Sequence, residues 1–313
     1  MTLRAPPKPP HATANLVGRF VGLIVLLVIF AGVVWVTATN QQVPVVERTN
    51  PLVDAPGEHV SVDGAVIHVQ TIGQGNDVTL VIHDDNMAGG ALVVPLAESL
   101  AEGGRRVVVP DLVGFGLSGR PSSPGRIYSS IGQAETLAAY IAQEGLARVQ
   151  VVGVGWGGTV AADLAVIEPE AIDGLVLVDV PSLSIDASGW KTMEALPFGV
   201  GQAVAYNREG GASAAEDIFL ETCPGPADCA DPTVLAAFRK AVTVPDTAAS
   251  IRARRASPVA SVAADRIDEI EVPVLIVSTS DRDAVAEISS VFEGASVEVT
   301  GEGEVAAPIL AAG

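Results

Sequence analysis

Positive charge, cysteine and histidine are all scarce in this 313-residue chain. Eighteen Lys and Arg stand against 37 Asp and Glu, a formal net charge of -19. No basic stripe is present to follow a phosphate backbone, so nucleic acid is excluded as a partner. Only two cysteines occur, Cys223 and Cys229, in ETCPGPADCAD. A local disulfide closing a short loop is the reading expected of such a pair in an oxidising compartment. A metal site would want a His or further Cys beside them, and a redox role would want the tighter C-x-x-C spacing. The four histidines are His11, His59, His68 and His83, so no imidazole base can come from the chain beyond residue 83. No internal repeat is visible.

Charge is also missing from one long run. Phe20 to Val36 reads FVGLIVLLVIFAGVVWV, and no charged residue follows until Glu47. That is enough for a membrane-spanning helix of about 20 residues. Arg4, Lys8 and Arg19 precede the run and the next basic residue is Arg48, which puts the N-terminus in the cytoplasm and the rest of the chain outside. A cleaved signal peptide with an exit at Val36-Thr37-Ala38 is the rival, but the run exceeds the usual h-region of about 7–15 residues. The expected organisation is a cytoplasmic tail over 1–15, a transmembrane helix over 16–39 and an extended, Pro-containing stalk over 40–58.

Beyond the stalk, period-two runs flank Asp63-Gly64, a strong hairpin signal. Strands are then predicted at Val78 to His83, Arg105 to Val109, Val149 to Val152, Leu175 to Asp179 and Val274 to Ser278. Helices are predicted between them at Gly90 to Glu102, Ile131 to Glu144 and Trp156 to Ile167. This alternation implies an α/β domain with a mostly parallel sheet and helices on both faces. The rhythm stops over 181–272, which reads as a cap inserted over the sheet's C-terminal edge, dividing the core into 59–180 and 273–313.

Four stretches carry a resemblance. Val81-Ile82-His83-Asp84-Asp85 is similar to a strand-end His-Gly motif. Pro110-Asp111-Leu112-Val113-Gly114-Phe115-Gly116-Leu117-Ser118-Gly119-Arg120-Pro121 is the most specific of the four. Val151 to Gly158 (VVGVGWGG) looks like a nucleophile elbow, and Val272 to Val277 like the strand that delivers an acid, with Asp281 or Asp283 just beyond. Together they resemble the α/β-hydrolase superfamily, in its epoxide-hydrolase-like and dehalogenase-like branch, over residues 59–308. The resemblance implies a nucleophile at Gly155, an acid at Asp283 and a base at Glu304, where relatives would carry histidine. Glycine offers no nucleophile, and the helix expected after that histidine position is nearly absent. Asp84 and Asp85 put negative charge where an oxyanion hole would form.

The resemblance therefore implies a degenerate member without catalytic residues. The remnant pocket would be His83, Asp84, Asp85, Gly155, Trp156, Asp281, Asp283 and Glu304. His83 is expected to be structural, and His59 and His68 to be ordinary strand residues. Trp156 either packs under the cap or shapes the pocket. Asp84, Asp85, Asp281, Asp283 and Glu304 are expected to converge, pointing apart into water or else holding a cation such as calcium. No cofactor and no resident metal are expected. The leading expectation is a membrane-anchored, extracytoplasmic pseudoenzyme that binds a small apolar ligand or a protein partner, or supports an envelope complex. The alternatives are a hydrolase with displaced catalytic groups, and a structural membrane subunit acting through its anchor helix.

Overall fold

A computed structural model describes residues 12–46, 56–121, 125–180, 182–183, 231–255 and 261–312. Cys223, Cys229 and most of the expected cap lie outside the described residues.

The first helix, α1 (Ala12–Val46), carries the uncharged run. Within it Gly18–Ala38 has a mean hydropathy of 2.8 and none of it is buried against the rest of the chain. It is long and apolar enough to serve as a membrane anchor or a signal sequence. The helix continues to Val46, so residues 40–46 are helical where an extended stalk was expected. Adding residues to a helix already formed gains one hydrogen bond each, which carries it past the apolar run.

An eight-stranded sheet forms the domain: β1 (Glu58–Val62), β2 (Ala65–Ile72), β3 (Val78–Ile82), β4 (Arg106–Pro110), β5 (Val149–Val154), β6 (Ile172–Val178), β7 (Val274–Ser278) and β8 (Ser296–Val299). Their spatial order is β1-β2-β4-β3-β5-β6-β7-β8. The hairpin turns on Asp63 and Gly64, both at positive φ, and its strands and the β2–β4 pair are antiparallel. All other pairs are parallel.

Alternate residues of each central strand feed two cores. Leu80, Ile82, Val151, Leu175, Leu177 and Ile276 face one side, with α3 (Ser130–Gln143) and α4 (Trp156–Ile167). Val81, Val107, Val109, Val152, Val176 and Val277 face the other, with α2 (Val94–Glu102). Helices α5 (Pro232–Ala241) and α6 (Thr247–Arg255) dock separately: Val234, Phe238, Val242 and Ile251 pack on Met87 and Ala88, just after β3. The described part of the cap thus lies over the strands' C-terminal ends. After β7 come α7 (Ala286–Val291), β8 and α8 (Ala306–Ala311). The C-terminal helix, expected to be nearly absent, is six residues long and buries Ile309 in the second core.

The chain leaves β3 for β4 on one side and returns to β5 on the other. Between β3 and β5 it therefore has a topological switch point, the place where open α/β sheets form their ligand crevices.

Candidate functional site

Residues 84 and 155 meet at that switch point. Strand β5 ends at Val154, and Gly155 turns the chain into α4 with φ 52° and ψ −124°. Only glycine adopts such angles without cost. Gly157 is required for a different reason: a Cβ there would stand 2.5 Å from the carbonyl oxygens of Ile82 and His83. The sharp turn therefore brings the start of α4 against the end of β3.

Asp84 fills the space that Gly155 leaves. A Cβ built on Gly155 would lie 2.5 Å from Asp84 Oδ1 and 2.7 Å from Oδ2, and closer still to Cγ. The carboxylate is fixed there by two backbone donors that converge on Oδ1, Trp156 N–H at 2.6 Å and Asp85 N–H at 2.8 Å. Burial pushes the Asp84 carboxyl above its ordinary value, against the lowering effect of those two bonds.

His83, just after β3, is fully buried. Its Nε2 accepts from Leu112 N–H at 3.0 Å, so Nδ1 carries the proton and donates to the Asp84 carbonyl at 2.6 Å. Burial holds its pKa below the ordinary value although Asp111 and Asp84 pull the other way. Its ring meets Phe115 edge-on at 5.3 Å, and Phe115 lies 5.9 Å from the Trp156 ring. Trp156 is half-buried and its ring packs on Phe115.

Asp85 is exposed. It is ion-paired with Arg254 of α6, whose guanidinium also lies 4.1 Å above the Phe115 ring. That pair ties the cap to the loop after β3. Asp281 accepts from Ala284 N–H at 3.0 Å and closes a local turn. Asp283 is exposed, as is Glu304, whose Oε2 accepts from Thr300 at 3.4 Å. Among the described residues no three His, Cys, Asp or Glu side chains are grouped so as to hold a metal ion. Asp85, Asp281, Asp283 and Glu304 are thus exposed, Asp281 and Glu304 engaged by their own loops and Asp85 by Arg254, as in the reading in which the acids point into water.

Three roles escaped the sequence. His68 is not an ordinary strand residue: it is 1% exposed and its Nδ1 donates to Asp111 Oδ2 at 2.8 Å, while Nε2 donates to the Pro56 carbonyl at 2.6 Å. Burial alone would lower its pKa, but the Asp111 bond and charge raise it overall, and Asp111 is correspondingly held low despite its own burial. Arg120, also buried, donates to the carbonyls of Phe115, Ser118 and Gly116 at 2.6–2.8 Å and reaches Thr247 and Ala241 beside it. Asp179, at the end of β6 with φ 49°, accepts from Thr279 N–H at 2.8 Å and its hydroxyl at 2.7 Å. Asp111, Thr247, Ala241 and Thr279 are distant in sequence from the residues they meet, so composition and spacing carried no signal for those contacts. A cleft of about 670 Å³ opens at the other edge of the sheet, lined by Arg105, Arg148, Gln150 and Asp173, and takes in none of the expected pocket residues.

The profile of the Alpha/beta hydrolase family matches residues 80–308. The chain belongs to that family. A haloalkane dehalogenase of Bradyrhizobium diazoefficiens is 31% identical over 87 residues, 28% of this chain and 26% of that protein. A 2-hydroxymuconate semialdehyde hydrolase of Pseudomonas putida is 38% identical over 74 residues, 24% and 26% of the two chains. These matches span about a quarter of the relatives' own length. Among solved structures, a thermophilic esterase from Thermogutta terrifontis superposes with a TM-score of 0.59 at 21% identity, covering 79% of this chain and 90% of that one. A haloalkane dehalogenase loop variant from Bradyrhizobium elkanii gives 0.55 at 19%, covering 81% and 93%. At such identities the likeness is one of fold.

In an α/β hydrolase the residue at the elbow supplies the nucleophile, and the next backbone N–H joins one from the loop after β3 to hold the oxyanion. In this α/β hydrolase those positions fall on Gly155, Trp156 N–H and Asp85 N–H. Both donors are spent on Asp84. The elbow carries no side chain at Gly155, and the Trp156 and Asp85 N–H groups are bonded to Asp84.

Proposed function

We propose that this chain is a membrane-anchored, extracytoplasmic α/β-hydrolase domain that binds a small apolar ligand or a protein partner without turning it over by acyl transfer. The observation that carries this reading is the Asp84 carboxylate, seated on both oxyanion-hole donors and in the side-chain space of Gly155. A charge already at that point opposes a second one developing there. The histidines support the same reading, since His83 is held at both nitrogens, His68 is ion-paired with Asp111 and none follows residue 83. The anchoring and orientation rest on the Gly18–Ala38 helix and on the basic residues that precede it.

The full chain, solubilised in detergent, is expected to be blank against a panel of ester and epoxide substrates and to resist fluorophosphonate labelling. Ester turnover that disappears in Glu304→Gln would overturn the proposal in favour of displaced catalytic groups. In intact cells, alkaline carbonate should leave the protein in the membrane and external protease should reach the domain. A released or protected domain would remove that part of the reading.

A further inference from the structure

Strands β3, β5 and β6 turn Val81, Val152 and Val176 into the second core, but two residues earlier on the same face they carry Thr79, Gln150 and Gly174. These three are register neighbours across the sheet. The row lies at the strands' N-terminal edge, and Gln150 and Gly174 line the cleft of about 670 Å³ that opens there. That volume falls within the about 300–1,000 Å³ of small-molecule sites.

Two groups in the cleft are buried without the partner that burial calls for. The Arg105 side chain, 9% exposed, gives one hydrogen bond, from Nη1 to Thr79 Oγ1 at 3.1 Å, and has no carboxylate partner among the described residues. Gln150 is 5% exposed, and its Oε1 accepts no hydrogen bond among the described residues. A buried guanidinium calls for an anion, and a buried amide carbonyl for a donor. The register brings the two demands together, because Thr79, which holds Arg105, stands beside Gln150. On the other side of Gln150, Gly174 leaves the amide uncovered: a Cβ there would lie 3.6 Å from Gln150 Cγ.

The remaining charges choose among anions. Two guanidiniums, Arg105 and Arg148, and two carboxylates, Asp77 and Asp173, line the cleft. Arg148 and Asp173 face each other at 3.6 Å, which leaves Arg105 inside and the exposed Asp77 at the rim. A phosphate dianion would find one buried cation and be opposed by the acid, whereas a ligand with one charge of each sign satisfies both. Val274 and Leu275 of β7 add an apolar wall.

We infer that this cleft binds an apolar α-amino acid: its carboxylate pairs with Arg105, its ammonium group donates to Gln150 Oε1 and faces Asp77, and its side chain lies on Val274 and Leu275. The site is at the opposite edge of the sheet from Gly155 and is independent of the proposed function.

The test dialyses the detergent-solubilised full chain to equilibrium against radiolabelled L-leucine. One L-leucine per chain is expected. As competitors, leucinamide, which lacks the carboxylate, and 4-methylpentanoate, which lacks the ammonium group, should be about tenfold or more weaker than unlabelled L-leucine, and Asp77→Asn should weaken L-leucine binding to a similar degree, the worth of one charge-assisted contact. Gly174→Val fills the space over the Gln150 amide at a backbone that accepts a side chain, and should abolish binding; Glu287→Gln, exposed on α7, should keep it. No binding to the wild-type chain overturns the inference. So does undiminished binding to a Gly174→Val chain that still melts cooperatively, or competition by 4-methylpentanoate, leucinamide or inorganic phosphate as strong as that by L-leucine. Each of these results leaves the proposed function standing.

Discussion

Replacing Gly155 by alanine tests the central contact, because the added methyl group must enter space held by the Asp84 carboxylate. Two costs follow from the structure. The backbone at φ 52° and ψ −124° suits glycine, and a side chain there costs about 1–3 kcal/mol. The carboxylate must also leave its two backbone donors, each a charge-assisted bond of about 1.5–3 kcal/mol, partly replaced by water in this half-open crevice. Together these give about 3–5 kcal/mol. For a domain of this size, each kcal/mol lowers the Tm by about 2–4 °C, so the full chain in detergent should melt about 6–20 °C lower. A double-mutant cycle separates the terms. In an Asp84→Gly background the same alanine should meet only the backbone cost, leaving a coupling of about 2 kcal/mol. Equal losses in both backgrounds would mean that the carboxylate does not occupy the elbow.

Three further outcomes are expected. A carboxyl raised by burial stabilises the fold while protonated, fully so below its unfolded pKa, and that stability is lost as pH rises through the folded value. Asp84→Asn should therefore melt higher than wild type at neutral pH and converge with it in acid, and a difference that ignores pH would refute this. His68, raised overall by Asp111, contributes stability below its unfolded pKa that is lost as pH rises through its folded value. His68→Gln should thus cost most at neutral and acid pH and progressively less in alkali; a pH-independent cost in thermal melts would count against a charged pair. Arg120→Ala strips three buried loop carbonyls of their donor and should cost about 3 kcal/mol or more in denaturant unfolding. A loss under about 1 kcal/mol would show that the loop keeps its shape without the guanidinium.

The parallel core was legible because buried strands read as apolar, β-branched runs, and β7 forms over Val274 to Ser278 as predicted from VLIVS. Strand β8, SVEV, escaped notice: it is four residues at a sheet edge, with little burial and no apolar run to mark it. The elbow glycines and the acidic corner after β3 were also readable. What could not be read was direction. Whether Asp84 turns toward water or onto the elbow depends on β3 and β5 being neighbours, a pairing that brings together residues 72 positions apart. His68 and Asp111 likewise meet only because β2 pairs with β4. Asp281 and Glu304 bond within their own loops and Asp283 is exposed, contacts that are local in sequence.

The occupation of Gly155's space by Asp84 also makes the two positions interdependent. A side chain at 155 and the carboxylate of Asp84 cannot share that space, so neither position can be altered on its own terms. Serine or aspartate placed at position 155 would meet the carboxylate and find both backbone donors taken. Installing a side-chain nucleophile at that spot thus requires position 84 to change first, and a screen that sampled single substitutions at the elbow would search where no path begins.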